Sequence, residues 1–137
     1  MSHYTHYFEY HLDLLRTFKT TIGANPIFTD HDNTYEQQQD HQKLLETLEQ
    51  LGQMQQHSES LNQDGQWMVN RIITAYPQFT HLLPRDLLWF FGGDCLHFMP
   101  DEEIAFYQAL DELRFSAEAR GQIFNYAQAK KQLQQMQ

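Results

Sequence analysis

Hydrophobic residues recur along the chain three and four positions apart, and no convincing stretch alternates apolar and polar positions. A spacing of three or four puts apolar side chains on one face of a helix, whereas strict alternation is typical of a strand. The pattern therefore predicts an all-α protein, with residues 1–137 forming a single compact domain of five or six helices.

Turn residues and helix-capping residues divide this repeat into segments. Pro26 and Pro77 each stop a helix, because proline lacks the backbone N–H and restrains the residue before it. The first predicted helix covers about 3–21, and the second lies around 44–51 and ends near Gly52 or Met54. The third ends at Pro77, the fourth covers about 84–91, the fifth about 100–121, and the last begins after Asn125. The start of the third helix stays open between Ser58 and a position after Gly65.

Two of these helices carry specific expectations about packing. Residues 87–91 are apolar around the whole circumference, so the fourth helix is predicted to be short, apolar and central. The core stripe of the fifth helix is predicted to be Phe106, Leu110, Leu113 and Ala117, and that of the last helix Tyr126, Ala129, Leu133 and Met136.

Charge is distributed unevenly along the chain, whose net charge is −9. An acidic, Gln-rich segment at about 30–64 holds eight acids and one base, Lys43, whereas the C-terminal helical part at about 114–137 leans basic. The basic side chains of that part are Arg114, Arg120, Lys130 and Lys131. An acidic protein repels phosphate backbones, so we expect no nucleic-acid partner.

The single cysteine, Cys95, excludes a disulfide within the chain and a cysteine-based zinc finger. No apolar run approaches the roughly 20 residues of a membrane span, and the N-terminus does not resemble a signal peptide. These features predict a cytoplasmic protein with no membrane partner.

Motifs that mark common enzyme families are absent from the sequence. None of the six glycines forms a dinucleotide-binding, phosphate-binding or nucleophile-elbow motif, and there is no HExxH zinc motif. The sequence therefore leans towards a non-enzymatic protein with no cofactor and no metal.

One stretch, LLWFFGGDCLHFMP at 87–100, still combines residues that can carry chemistry. Asp94, Cys95 and His97 could form a reactive site, because a nearby imidazolium or a helix N-terminus activates a thiolate. Asp94 and His97, with an acid from the next helix, could instead hold a divalent metal. The aromatic side chains Trp89, Phe90 and Phe98, with His97, are the candidate ligand-binding residues.

The same stretch has a purely structural interpretation, which we favour. Gly92 and Gly93 would end the apolar helix, Asp94 would cap the following turn, and Cys95 would be a small buried apolar side chain. Catalytic Cys and His residues normally come from distant parts of a chain, so their proximity here is a weak indication of catalysis.

The remaining histidines and Trp67 give less specific indications. We expect the histidines to be scattered surface or rim residues and Trp67 to be a partly exposed contact residue. The histidines are His3, His6, His11, His31, His41, His57 and His81.

The segment LLPRDLLWFFGGDCLHFMPDEEIAFYQALDE, at 82–112, resembles a family of short uncharacterised gamma-proteobacterial proteins. A looser likeness extends to QWMVNRIITAYP at 66–77. The resemblance implies a bacterial cytoplasmic protein and names no catalytic residue.

The sequence thus supports three hypotheses. The leading one is a small acidic helical protein with a regulatory or adaptor role, which binds a protein partner or itself, with a homodimer as the default assembly. In that dimer the acidic segment would meet Arg120, Lys130 and Lys131 of a second copy. The alternatives are a small-ligand protein, metal-binding protein or enzyme centred on Asp94, Cys95 and His97, and an acidic mimic of nucleic acid.

Overall fold

Helices make up the whole regular structure of residues 3–136, which a computed structural model describes, with side chains from Tyr7 onward. Within that part there is no strand, and the prediction of an all-α protein is confirmed. The six α-helices are α1 (His3–Gly23), α2 (Tyr35–Gly52), α3 (Glu59–Ala75), α4 (Arg85–Phe91), α5 (Asp101–Ala119) and α6 (Tyr126–Gln135). Short 3-10 turns occupy Pro26–Phe28, Pro77–Leu82 and Gly93–Phe98.

Capping residues explain where three of the helices begin. The Thr34 hydroxyl accepts from the Gln37 backbone N–H and the Gln37 side chain accepts from the Thr34 N–H, which is a capping box. Ser58 and Asn125 cap α3 and α6 in the same way through one side-chain bond each. The apolar repeat of α2 starts only at Leu44, so its polar first half is fixed by the cap rather than by burial.

Helix α4 lies at the centre of the core, as predicted. Five of its seven residues are buried, including Leu87, Leu88 and Phe91, and the helix contacts both α1 and α3. One hydrophobic cluster includes residues from every α-helix of the described part. A short helix that is apolar all round is stable only when its neighbours cover it, which is the arrangement observed.

Gly65 lies inside α3 because α3 and α4 approach each other closely there. A Cβ atom at this position would lie 2.1 Å from the Phe91 ring. Helix α3 begins at Glu59, directly after its cap Ser58, and continues through Gly65. Of the two starts that the sequence left open, the one at Ser58 is observed. The helix-propensity cost of the glycine is about 1 kcal/mol, and the close packing of two core helices offsets it.

The predicted core stripe of α5 was wrong at one position. Leu113 is 47% exposed, whereas Arg114 is 6% exposed and occupies the stripe with Phe106, Leu110 and Ala117. Leu113 and Arg114 both lie three or four residues from Leu110 and Ala117, so helix spacing admits either one. The Tyr7 ring of α1, 3.8 Å from the Arg114 guanidinium, covers the arginine rather than the leucine. Met136, the last residue of the stripe predicted for α6, is also exposed rather than inward-facing.

Two ion pairs connect α4 to the C-terminal helices. The Lys130 ammonium of α6 donates to both carboxylate oxygens of the buried Asp86, at 2.9 and 2.7 Å. Arg85 pairs with Glu103 of α5 and donates to the Phe98 carbonyl. A bidentate bond to a buried carboxylate compensates much of the cost of removing that charge from water.

None of the described helices combines the length and the apolar content needed to cross a membrane.

Candidate functional site

The glycine corner, residues 91–99, contains the residues that the sequence singled out for chemistry. Gly92 and Gly93 have φ values of +66° and +58°, a conformation that residues with a Cβ rarely adopt. The Gln66 side chain donates to the Phe91 carbonyl, and a Cβ at Gly93 would lie 2.5 Å from the same Gln66 nitrogen. The double glycine is thus required by the turn and by its contact with α3.

The three candidate catalytic side chains of the corner lie in different environments. Cys95 is buried, whereas Asp94 and His97 are exposed. Burial, and then the Asp94 carboxylate, raise the pKa of the Cys95 thiol to about 11. This shift is opposite in direction to the one that activates a nucleophilic cysteine. Asp94 is not the cap of the 3-10 turn, since Gly92 takes that position without a side-chain bond.

The candidate ligand-binding aromatics of the corner make the contacts of a packed core. Trp89 is partly buried, and its indole N–H donates to Asp111 at 2.9 Å. Phe90 is buried between two imidazoles, stacked on His11 at 4.5 Å and on His57 at 4.6 Å. Phe98 packs half-buried against the core.

Metal-ligating side chains do not converge in the described part of the chain. Among those residues, no three His, Cys, Asp or Glu side chains lie close enough to hold one ion.

The expectation that the histidines lie at the surface was wrong for His11, which is fully buried. His31, His57 and His81 are exposed, as predicted, and His41 is half-buried. The side chains of His3 and His6 lie outside the described part.

His11 is buried as a neutral base. Its Nδ1 lies 2.8 Å from the Tyr7 carbonyl, which can only accept, so Nδ1 carries the proton. Its Nε2 is buried and has no hydrogen-bond partner in the part of the chain that the structure describes. Burial lowers the pKa of His11 to about 4, and the imidazole is therefore neutral at pH 7.

A large opening in the described part lies elsewhere, between three segments that are distant in sequence. We call it the aromatic cleft; it encloses about 820 Å³ and is bounded by the start of α1, the α2–α3 linker and the end of α5. It is lined by Tyr7, Phe8, Glu9, Leu12, Asp13, Arg16, Met54, Gln55, Gln56, His57, Arg114 and Phe115. Ligand clefts typically enclose about 300–1,000 Å³.

Arg114 stacks between two rings that line the aromatic cleft. Its guanidinium carbon lies 3.8 Å from the centre of the Tyr7 ring and 4.6 Å from that of Phe115. Its bonds to Asp111 and Glu118 are long, at 3.4 and 3.5 Å, and its buried Nε has no partner among the described residues. Ring stacking therefore positions this cation more than hydrogen bonding does.

Arg16 also lines the aromatic cleft. Its Nε donates to the Gly52 carbonyl at 2.9 Å, and one terminal nitrogen lies 3.5 Å from Asp13. A cation at the last carbonyls of α2 is favoured by the negative end of the helix dipole. Arg16 thus joins α1 to the end of α2 beside the cleft.

Half-exposed apolar side chains give the aromatic cleft its accessible surface. Phe115 is 52% exposed, and Phe8 and Met54 are half-buried beside it. Burial and the nearby Asp111 raise the pKa of Tyr7, so the phenol stays neutral. The lining therefore combines apolar and aromatic side chains with polar ones, and its two carboxylates, Glu9 and Asp13, are exposed.

Sequence reasoning missed the aromatic cleft because no single segment holds it. Arg114 was grouped with the basic residues at about 114–137, and no predicted site included Tyr7 or Phe8. The available indication was the position of Arg114, three and four residues from apolar core positions of α5. A charged residue on a core stripe indicates a buried ion pair or a site.

The structure also changes the expected charge pattern. Lys130 pairs with Asp86 inside the protein, which leaves Arg120 and Lys131 without an ion pair in the described part of the basic tail. Two acids of the acidic segment are paired as well, Asp40 with Arg71 and Glu49 with Lys19. The charge separation in the sequence is therefore weaker at the surface.

Trp67, the predicted contact residue, is half-buried on α3, and the Lys43 ammonium lies 4.6 Å from the centre of its ring. This cation–π contact joins α2 to α3, and Trp67 does not line the aromatic cleft.

Comparison with known proteins gives a family and no activity. No curated protein and no solved structure matches the chain. The PA2817-like family matches residues 3–137. Because the match extends over nearly the whole chain, the protein belongs to the PA2817-like family.

Proposed function

We propose that the protein is a non-enzymatic binding protein with a regulatory or adaptor role, and that it takes an apolar segment of a protein partner into the aromatic cleft. The observation that carries the proposal is the half-exposed Phe115 ring, stacked on the buried Arg114 guanidinium at the mouth of an open cleft. Aromatic and arginine side chains dominate the binding energy of protein interfaces.

The composition of the aromatic cleft supports a protein partner. Phe8, Leu12, Met54 and Phe115 offer apolar surface of mixed shape, and methionine in particular adapts to different partners. An apolar patch with a polar rim is typical of an interaction site. The net charge of −9 supports a protein rather than a nucleic acid as the partner.

The proposal includes the setting inferred from the sequence, a bacterial cytoplasm. A second copy of the chain is the default alternative occupant. The acidic segment and the basic tail favour this homodimer less than the sequence indicated, because Lys130 is engaged with Asp86.

A matched pair of variants tests the proposal. Phe115→Ser and Leu113→Ser change neighbouring apolar side chains of similar exposure, 52% and 47%, but only Phe115 lines the cleft. Tagged wild-type protein and both variants are used to purify partners, which mass spectrometry identifies. Each partner is then purified, and its dissociation constant for the three proteins is measured by calorimetry.

The expected result is a partner that the wild-type protein and Leu113→Ser bind with similar affinity and that Phe115→Ser binds at least about tenfold more weakly. Sedimentation of the wild-type protein and both variants at micromolar concentrations tests whether a second copy of the chain is the occupant. The proposal is wrong if no partner, including the chain itself, distinguishes Phe115→Ser from Leu113→Ser.

A further inference from the structure

We infer that the segment bound in the aromatic cleft is basic as well as apolar, with Lys or Arg side chains beside its apolar anchors. This inference rests on the proposed function, and it names the chemistry of the partner. It follows from the charges of the cleft.

The two guanidinium groups of the aromatic cleft are already compensated within the protein. Arg114 pairs with Asp111 and Glu118, and Arg16 is bonded to the Gly52 carbonyl and lies near Asp13. An anionic segment would therefore meet cations that have carboxylates beside them, and it would add a further negative charge. The cleft is poorly suited to an acidic ligand.

Carboxylates outnumber cations around the aromatic cleft. The lining holds two carboxylates and two guanidinium groups, and the two partners of Arg114 add two carboxylates just outside the lining, which makes four against two. Glu9 and Asp13 are exposed and lie one helical turn apart on α1. Asp13 is shared with Arg16, whereas Glu9 has no ion pair in the described part of the chain, so a positively charged segment is attracted chiefly to Glu9. The net charge of −9 steers such a segment towards the protein.

The aromatic walls offer a second kind of contact to a cation. Arg114 already shows the geometry, with its guanidinium 4.6 Å from the centre of the Phe115 ring. Because Phe115 is half-exposed, an incoming Lys or Arg can stack on its accessible surface in the same manner. Apolar side chains of the segment would pack on Leu12 and Met54.

Selection from a library of random peptides displayed on phage tests this inference on the full chain. Peptides that bind the wild-type protein at low salt are selected first. Among them, we keep those that still bind the Leu113→Ser variant and no longer bind the Phe115→Ser variant. We expect the peptides that depend on Phe115 to carry a positive mean net charge and an excess of aromatic or aliphatic residues. Phe115-dependent peptides of neutral or negative mean charge would overturn the inference and leave the proposed function standing.

An absence of any Phe115-dependent peptide would count against the proposed function itself. The two failures are thus distinguishable.

The charge of the opening is then tested with a selected peptide. Glu9→Gln with Asp13→Asn should raise its dissociation constant about fivefold at low salt, since exposed ion pairs contribute modestly to affinity. The double variant should also weaken the dependence of affinity on salt. Glu46→Gln, an exposed acid of α2 that does not line the cleft, is the matched control and should change neither quantity. Equal affinity and equal salt dependence in the double variant and the wild type would overturn the inference.

Discussion

The glycine corner and the aromatic cleft differ in how sequence relates to accessible chemistry. The corner brings Asp94, Cys95 and His97 together within four positions, yet its thiol is buried in the core. The cleft gathers residues from 7 to 115, and it is open to solvent. Proximity along the chain therefore accompanies a buried thiol in the corner, whereas packing of distant helices forms an open cleft.

Each region also contains a buried titratable group, and burial keeps both groups neutral. In the corner, the pKa of Cys95 is raised to about 11, and behind the cleft the pKa of His11 is lowered to about 4. An acid and a base are shifted in opposite directions because burial disfavours whichever form is charged. The two regions therefore differ in how far solvent and ligands reach their side chains, and not in the protonation of their buried groups.

The largest expected effect concerns the packing behind the corner. Gly65→Ala should lower the free energy of unfolding by about 3 kcal/mol, because its Cβ would overlap the Phe91 ring. Denaturant unfolding followed by circular dichroism measures the loss. Gly23→Ala is the control; a Cβ there has no neighbour within 4 Å, so its effect should be small. Equal effects of the two substitutions would contradict the close approach of α3 and α4.

The second prediction concerns the thiol of the corner. Native Cys95 should react with a thiol reagent at pH 7.5 at least about 100-fold more slowly than in denaturant, because burial raises its pKa to about 11. Asp94→Asn should speed the native reaction modestly, since the Asp94 carboxylate also raises that pKa. A native rate equal to the denatured rate would restore the reactive-site hypothesis for Asp94, Cys95 and His97.

A third prediction concerns the base behind the cleft. The pKa of His11 is about 4 in the folded protein, below its ordinary value of 6.5. As pH falls below 6.5 the unfolded chain gains a proton that the folded protein does not take up until about pH 4. The free energy of unfolding should therefore fall across this window, by about 2 kcal/mol between pH 7 and pH 5 from His11 alone.

His11→Phe isolates this contribution, because the new ring can keep the stack on Phe90. The variant should lose less stability than the wild type over the same pH range, as measured by urea unfolding. Identical pH dependence in both proteins would mean that the pKa of His11 is the same in the folded and unfolded states, which would contradict its burial as a neutral base.

The smallest effect is expected at the mouth of the cleft. Phe115→Ser should cost about 1 kcal/mol of stability or less, because half of the ring is already exposed. Leu113→Ser should cost a similar amount, so a difference in binding between the two would arise from the cleft. Urea unfolding of both variants checks the match, and a loss of several kcal/mol for Phe115→Ser would mean that the ring is structural.

Much of the fold could be predicted from sequence because local rules determine it. The capping residues Ser58 and Asn125, the stops at Pro26 and Pro77 and the apolar circumference of α4 each act within a few positions. The start of α2 was missed because its first half has no buried face, and only the Thr34–Gln37 capping box marks it.

The candidate site could not be predicted because it depends on tertiary contacts. The burial of Arg114 requires the Tyr7 ring of α1 on one face of the guanidinium, and no local pattern reveals that pairing. Choosing between Leu113 and Arg114 for the core requires accepting a charged residue on an apolar stripe. Helix spacing admits either residue, the apolar composition of the stripe favoured the leucine, and the contact with the Tyr7 ring buries the arginine.

One hydrogen bond gives the aromatic cleft an intrinsic optical reporter. The Trp89 indole donates to one oxygen of Asp111, and the other oxygen of Asp111 pairs with Arg114 in the cleft. Indole emission responds to the charge and position of such a partner, so an occupant that moves Arg114 changes the fluorescence of Trp89. With Trp67 replaced by Phe, Trp89 is the sole tryptophan, and cleft occupancy becomes readable without an attached dye.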